Sequence, residues 1–147
     1  MSAANPVSTL HASDALHSVG SPAVRVLVID DSNTIRKCAE MYLTQAGCDV
    51  ILAEDGFAAL AKITTHNPDV IFIDIMMPRL DGYQTCALIK RNPKFRGTRV
   101  IMLSSRDGVF DRARGRLAGS DEYLTKPFTK EDLVTAVRMH TRRSDNT

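Results

Sequence analysis

Five short apolar runs recur along the chain, and polar residues follow each of them. The runs are rich in Val, Ile and Leu, and most of them do not alternate between apolar and polar side chains. Near-continuous apolar runs of this length are typical of parallel strands that helices cover on both faces of the sheet. The predicted strands are residues 24–29, 49–53, 70–73, 100–103 and 122–125.

The segments between these runs repeat their apolar residues at helical spacing. In the first segment, Ser32 can cap a helix and Gly47 can end it. The fourth segment has the poorest apolar stripe, because Arg112, Arg114 and Arg116 crowd it. The first predicted helix follows Ser32 as far as Gly47, and the second occupies residues 56–66. The third follows Gly82 and ends at about Arg91, and the last two occupy residues 108–117 and 130–141. Alternating strands and helices predict one α/β domain built on a doubly wound parallel sheet.

Composition narrows the class of protein. The 147 residues carry 19 Lys and Arg against 17 Asp and Glu, a balance that gives no strong attraction to nucleic acid. Apolar runs of about four residues cannot span a membrane. Three cysteines without a C-x-x-C pair, and no pattern of a secretory signal, favour a cytoplasmic protein. The predicted domain covers residues 23–141, between a flexible N-terminal tail at 1–22 and a short tail at 142–147.

Polar side chains with useful chemistry follow four of the five predicted strands. They are Asp30, Asp31, Asp74, Ser104 and Lys126. In an open α/β sheet, ligands bind beyond the carboxyl ends of the strands, where these side chains would meet. Three carboxylates in one place repel each other, so one is protonated or a cation such as Mg²⁺ binds. Lys126 and Ser104 suit the other oxygens of a phosphoryl group, and Asp74 is the candidate nucleophile.

The same residues resemble the response-regulator receiver domain, the CheY-like family of two-component signalling. The resemblance extends over about residues 24–140 and implies a flavodoxin-like sheet with strand order 2-1-3-4-5 and five helices. Residues 75–86 and 119–128 most resemble regulators of type IV pilus twitching motility. The matching positions are Asp30-Asp31, Asp74, Met77-Pro78, Asp81-Gly82, Ser104, Tyr123 and Lys126-Pro127-Phe128.

The resemblance implies how the metal and the phosphoryl group would be held. Asp74 would accept the phosphoryl group from the phosphohistidine of a histidine kinase, and Lys126 would pair with it. Asp31, Asp74 and the backbone carbonyl of Met76 would hold Mg²⁺, and Asp30 would assist through water. The peptide bond between Lys126 and Pro127 is expected to be cis.

The resemblance also implies a switch. Ser104 would move to donate a hydrogen bond to the phosphoryl group, and Tyr123 would turn inward behind it. A partner would then read the resulting shift in population. Met76 and Arg106 stand two residues after Asp74 and Ser104, where neither can orient or deprotonate an attacking water, so we expect slow self-dephosphorylation.

The expected function is that of a stand-alone response regulator, a signalling domain that promotes its own phosphoryl transfer. Its expected partners are a histidine kinase of chemosensory type and a downstream protein, with the pilus machinery as the candidate, and neither nucleic acid nor membrane. Two alternatives remain open. A phosphorylation-independent interaction module would not need Asp31, Asp74, Ser104 and Lys126 intact. A phosphohydrolase with an aspartate nucleophile commonly has a second Asp where this chain has Met76.

Overall fold

The computed structural model describes residues 22–105 and 111–141, and their elements alternate between strand and helix. The strands are β1 (Arg25–Ile29), β2 (Asp49–Ala53), β3 (Val70–Asp74), β4 (Arg99–Ser105) and β5 (Glu122–Lys126). The helices are α1 (Asn33–Gln45), α2 (Gly56–His66), α3 (Gly82–Arg91), α4 (Arg112–Ala118) and α5 (Lys130–Thr141). A short 3₁₀ helix, Pro93–Phe95, follows α3.

The five strands form one parallel sheet in the order β2-β1-β3-β4-β5. The predicted fold class and strand order are therefore confirmed. Register is uniform across the centre of the sheet, where Leu27 lies beside Ile71 and Ile71 beside Val100. This alignment brings the carboxyl ends of β1, β3 and β4 to one edge, where the candidate residues were expected.

The central strands are apolar throughout because each face of the sheet is covered. Leu27, Ile71 and Met102 belong to a core cluster with residues of α2, α3 and α4. Val28, Phe72 and Leu103 point to the other face and pack against α1 and α5. Each of these six side chains is almost completely buried. Burial of large aliphatic side chains at about 1.5–3 kcal/mol each is the main stabilising contribution to such a sheet.

Local signals in the sequence account for the ends of most helices. The Ser32 side chain accepts a hydrogen bond from the Ile35 backbone N–H, so Ser32 is the predicted cap of α1. Gly47 follows that helix with a φ of 94°, a conformation that favours glycine. Asp81 and Gln84 form a reciprocal capping box at the start of α3. These caps fix where the loops of the candidate site begin and end.

Several boundaries differ from the sequence-based expectation. The strands β3, β4 and β5 run further than predicted, so that Asp74, Ser104 and Lys126 lie within strands rather than after them. The start of α4 was predicted at residue 108, whereas the helix begins at Arg112, after Asp111 accepts a hydrogen bond from the Arg114 N–H as its cap. Residues 106–110, which include Arg106 and the first residues of the predicted fourth helix, lie outside the described residues, as do the predicted tails apart from Pro22.

No helix in the described parts of the chain is long and apolar enough to cross a membrane. The three cysteines carry free thiols, and Cys48 and Cys86 are buried. Burial raises the pKa of the Cys48 and Cys86 thiols to about 12, which keeps both protonated and unreactive at neutral pH.

At the opposite end of the sheet from the candidate site, Asp121 joins β4, β5 and α3. Its carboxylate accepts hydrogen bonds from the Val100 N–H at 2.8 Å, from Lys90 Nζ at 3.1 Å and from the Arg99 guanidinium at 3.2 Å. Burial alone would raise the pKa of Asp121. The hydrogen bond from Val100 and the charges of Lys90 and Arg99 outweigh burial and hold this pKa below its ordinary value.

We predict that Asp121→Asn lowers the free energy of unfolding by about 1–3 kcal/mol at pH 7, because Lys90 and Arg99 lose the carboxylate that both contact. A depressed carboxylate pKa contributes stability above about pH 4, and this contribution is lost as the pH falls through the folded-state pKa. The difference between wild type and variant in urea unfolding should therefore shrink below pH 4. Glu54→Gln, which changes an exposed carboxylate, is the matched control. Equal losses in both variants would contradict the prediction.

Candidate functional site

The carboxyl edge of the sheet brings together the five residues that were singled out from the sequence. Asp30 and Asp31 directly follow β1, and Asp74 ends the neighbouring strand β3. Ser104 lies in β4, and Lys126 ends β5. Because these four strands are adjacent in the sheet, residues up to 96 positions apart in the sequence come within contact distance.

Three carboxylates form the centre of the site. One oxygen from each of Asp30, Asp31 and Asp74 lies within 4.8 Å of the others. Asp30 and Asp74 are buried, whereas Asp31 is exposed and faces the solvent. The Ser32 N–H donates to Asp30 Oδ1 at 2.9 Å, which fixes the orientation of the deepest carboxylate. The arrangement is a small acidic cup that is open on the side of Asp31.

A single ammonium group bridges the two buried carboxylates. Lys126 Nζ lies 3.1 Å from Asp74 Oδ1 and 3.2 Å from Asp30 Oδ2. Burial alone would lower the pKa of Lys126, but the charges of Asp30 and Asp74 outweigh it and hold the pKa above its ordinary value. Lys126 is therefore charged at neutral pH. The peptide bond that follows it, to Pro127, is cis as expected.

One lysine does not fully compensate the negative charge. Burial and the charge of Asp30 raise the pKa of Asp74 from 3.8 to about 6, although Lys126 opposes them. A bound divalent cation would remove this excess. The donors are carboxylate oxygens, which suit Mg²⁺, and they leave room for water or phosphate oxygens on the exposed side. The described residues thus fit the metal that the sequence suggested.

The loop after β3 presents the Met76 backbone next to Asp74. The Met76 N–H donates to Asp74 Oδ1 at 3.3 Å, and the Met76 side chain is 71% exposed. Gly82 lies under this loop and donates its N–H to the Ile75 carbonyl at 2.9 Å. A Cβ at position 82 would lie 2.6 Å from the Asp74 carbonyl oxygen, so only glycine allows this close approach. The glycine of the Asp81-Gly82 motif is therefore required on steric grounds.

A second set of contacts, which the sequence did not predict, holds the same loop in place. Arg79 has a φ of 69° and donates to Asp55 Oδ2 at 3.0 Å, while its guanidinium lies 5.1 Å from the centre of the Phe57 ring. Asp55 also caps α2 through its other oxygen, which accepts from the Ala58 N–H. No local pattern could have found this contact, because its two partners are 24 residues apart and only the packing of α2 beside the loop joins them.

The two proposed switch residues lie on neighbouring strands. Ser104 is buried, and its hydroxyl donates to the Ser105 carbonyl at 3.3 Å. Tyr123 is half-buried, and Arg112 of α4 donates to its hydroxyl at 2.8 Å with the guanidinium 5.5 Å from the ring centre. The Tyr123 hydroxyl is therefore attached to α4. Arg106, the other residue of the dephosphorylation hypothesis, lies outside the described residues.

We predict that Asp74→Asn stabilises the Mg²⁺-free protein at pH 7.5 by roughly 3 kcal/mol, since the pKa is raised from 3.8 to about 6 and one pKa unit corresponds to about 1.4 kcal/mol. A raised carboxylate pKa means that stability is lost as the pH rises from about 4 through 6. The advantage of the variant in urea unfolding should accordingly disappear near pH 4. Added Mg²⁺ should stabilise wild type more than the variant. A variant that is less stable than wild type at pH 7.5 would contradict this account of the charge balance.

Comparison with known proteins agrees with the geometry. The family model described as the response regulator receiver domain matches residues 26–138. The chain is 64% identical over 120 residues to the protein PilG of Pseudomonas aeruginosa, a match that covers 82% of this chain and 89% of PilG. It is 37% identical over 131 residues to the transcriptional regulatory protein TrcR of Mycobacterium tuberculosis, covering 89% of this chain but 50% of TrcR.

Solved structures show the same likeness. The chemotaxis protein CheY4 of Vibrio cholerae superposes with a TM-score of 0.76 at 30% identity, over 80% of this chain and 98% of CheY4. The receiver domain of the Francisella response regulator 1452 superposes with a TM-score of 0.73 at 38% identity, over 82% of this chain and 98% of that domain. The family is one of signalling domains and not of enzymes. The chain belongs to the response regulator receiver domain family.

Proposed function

We propose that this chain is a phosphorylation-dependent switch that accepts a phosphoryl group on Asp74 from a histidine kinase, in a Mg²⁺-dependent reaction. The observation that carries the proposal is the acidic cup of Asp30, Asp31 and Asp74, with Lys126 bridging its two buried members. In a receiver domain, this cup combines an acceptor carboxylate, ligands for a hard cation and a fixed positive charge. Asp74 is the proposed nucleophile, and Ser104 and Tyr123 are the proposed switch residues. The proposed metal ligands are Asp30, Asp31, Asp74 and the backbone carbonyl of Met76.

In the proposed reaction, a carboxylate oxygen of Asp74 forms a bond to the phosphorus of a phosphohistidine. The bond between phosphorus and the imidazole nitrogen breaks, and that nitrogen keeps the electron pair. Because the other ring nitrogen already carries a proton, the leaving group is a neutral imidazole. Mg²⁺, held by Asp31, Asp74 and the Met76 carbonyl with Asp30 assisting through water, would supply positive charge for the phosphoryl oxygens. The Lys126 ammonium, 3.1 Å from Asp74, supplies further positive charge at the acceptor.

The signal would leave the site through Ser104 and Tyr123. A phosphoryl group on Asp74 offers Ser104 a stronger acceptor than the Ser105 carbonyl, which it contacts in this structure. For Tyr123 to turn inward, its hydroxyl must leave the Arg112 guanidinium. Phosphorylation would therefore detach Tyr123 from α4 and alter the surface that α4 and β5 present to a partner.

The similarity to PilG supports a role in type IV pilus twitching motility, with a histidine kinase of chemosensory type upstream and a pilus-associated protein downstream. We propose that residues 23–141 are the receiver domain, that residues 1–22 and 142–147 are dispensable tails, and that the protein acts in the cytoplasm. The downstream partner in this proposal is a protein, and neither nucleic acid nor a membrane.

Acceptance on Asp74 predicts a mass increase of one phosphoryl group when the protein is incubated with acetyl phosphate and Mg²⁺. Asp74→Ala should show no adduct, and omission of Mg²⁺ should reduce the adduct on wild type to near zero. Intact-mass spectrometry measures both. Glu54→Gln, an exposed carboxylate change near α2, should behave as wild type.

Other outcomes point to other functions. An adduct on Asp74→Ala as well as on wild type would mean that a different nucleophile reacts. Wild type without an adduct, either from acetyl phosphate or from a receiver-phosphorylating histidine kinase, would favour the phosphorylation-independent interaction module.

We further predict a long-lived phosphoryl group, because the exposed Met76 side chain can neither orient nor deprotonate water beside Asp74. The double variant Met76→Asn with Arg106→Glu should dephosphorylate roughly ten- to a hundredfold faster, since positioned polar groups contribute factors of this order or more. The decay of the adduct after removal of acetyl phosphate measures the rate. Unchanged or slower decay in the double variant would overturn the prediction.

A further inference from the structure

The loop between β3 and α3 carries one of the proposed metal ligands, the backbone carbonyl of Met76, and backbone hydrogen bonds hold both of its ends. At its start, the Ile75 N–H donates to the Leu103 carbonyl of β4 at 3.1 Å. At its end, the Gly82 N–H returns to the Ile75 carbonyl at 2.9 Å. Residues 76–80, which lie between these bonds, are attached to the rest of the domain through side chains.

Arg79, within this segment, adopts a backbone conformation that L-residues rarely take. Its φ is 69°, and Asn67 is the only other non-glycine residue with a positive φ in the described part of the chain. Asn67 is the C-cap of α2, and asparagine tolerates this conformation better than arginine does. Because such a conformation persists only where surrounding contacts offset its cost, the contacts of the Arg79 side chain hold the loop in its observed shape.

Two side chains at the start of α2 hold the Arg79 guanidinium. Asp55 Oδ2 accepts a hydrogen bond from it at 3.0 Å, and the centre of the Phe57 ring lies 5.1 Å away. The other oxygen of Asp55 accepts from the Ala58 N–H at 2.7 Å as the cap of α2. Since the cap fixes the orientation of the carboxylate, the position of Arg79 is tied to the start of this helix.

The ion pair of Asp55 with Arg79 affects geometry more than stability. The Arg79 side chain is 65% exposed, and ion pairs of exposed side chains contribute little to the free energy of unfolding. In the part of the chain that the structure describes, Arg79 pairs with Asp55 and with no carboxylate of the acidic cup. It therefore leaves the charge of the cup unpaired while it holds the loop beside it.

We propose that Asp55 and Arg79 position the Met76 carbonyl for Mg²⁺ and thereby set the affinity of the acidic cup for the metal. Both are positioning residues, since neither is among the proposed metal ligands. This inference rests on the proposed function, because it concerns the metal site that phosphoryl acceptance requires. Replacement of groups that hold a metal ligand in place commonly lowers metal affinity by roughly 10- to 100-fold.

Two substitutions break the contact and preserve the local backbone. Asp55→Asn keeps one oxygen to cap α2 but places an amide NH₂ group opposite the guanidinium. Arg79→Asn removes the guanidinium and suits the positive φ. Each should raise the Kd for Mg²⁺ about tenfold, as measured by titration with MgCl₂ and the amide signals in NMR spectra. The double variant should bind Mg²⁺ no more weakly than either single variant, because both remove the same contact.

Charge alone predicts the opposite result for Arg79→Asn. Removal of a cation from this edge of the sheet should strengthen the binding of Mg²⁺ to three carboxylates, whereas loss of positioning weakens it. Glu54→Gln removes the same charge as Asp55→Asn from the exposed neighbouring residue, and Lys130→Gln removes an exposed cation at the start of α5. We expect both control variants to change the Kd for Mg²⁺ less than about twofold, because exposed charges are screened.

Unchanged or tighter Mg²⁺ binding by Arg79→Asn would overturn the inference, as would equal losses in Asp55→Asn and Glu54→Gln. A double variant whose loss equals the product of the two single losses would also overturn it. Urea unfolding without Mg²⁺ identifies a merely structural role. The midpoints of both single variants should stay close to wild type, and a lowered midpoint with an unchanged Kd for Mg²⁺ would contradict the proposal.

The acetyl phosphate adduct separates this inference from the proposed function. At saturating Mg²⁺, Asp55→Asn and Arg79→Asn should form the adduct like wild type, because the acidic cup and Lys126 are intact. The Mg²⁺ concentration for the half-maximal rate should rise about tenfold. A normal adduct with an unchanged half-maximal concentration would overturn this inference alone. A wild type that binds no Mg²⁺ and forms no adduct would overturn the proposed function as well.

Discussion

Three neighbouring carboxylates, of which only Asp30 and Asp74 contact an ammonium group, are the constraint on which the rest of this structure depends. Lys126 contacts Asp30 and Asp74, yet the pKa of Asp74 stays near 6 because burial and the neighbouring charge outweigh the lysine. The folded protein thus holds negative charge that it does not balance by itself. In the proposed function, a bound cation would balance this excess and then allow a phosphoryl group to approach.

The fold supplies the rigidity that such a site requires. The buried strands β1 and β3 place Asp30 and Asp74 side by side, and their apolar residues pack against helices on both faces. The loop after Asp74 is held close to the sheet by Gly82 underneath and by the contact of Arg79 with Asp55 and Phe57 on the outside. Packing therefore offsets the electrostatic cost of collecting the carboxylates.

Tyr123 and Arg112 connect the strand that carries Lys126 with the surface of α4. Tyr123 belongs to β5, the strand that ends at Lys126, and its hydroxyl contacts the first residue of α4. In the proposed function, a change at the phosphoryl site reaches the surface of α4 through these two side chains. The link requires no large movement of the sheet, whose five strands are fixed by their register.

The strands and helices could be predicted from the chain alone because their signals are local. Apolar runs, caps such as Ser32 and breakers such as Gly47 act within a few residues, so they can be recognised in the sequence without knowledge of the fold. The location of the candidate residues at one edge could also be predicted, because the carboxyl ends of parallel strands meet at the same edge of a sheet. The start of α4 was misplaced, since the apolar pattern of that segment is weak and its cap, Asp111, is a single side chain.

The tertiary structure determines which of these residues contact one another and how strongly they interact. Burial distinguishes Asp30 from its neighbour Asp31, although both follow the same strand. The contacts of Asp121 with Lys90 and of Arg79 with Asp55 join residues more than twenty positions apart. Local pattern cannot specify such contacts, because their distances and pKa values arise only when separate strands and helices pack together.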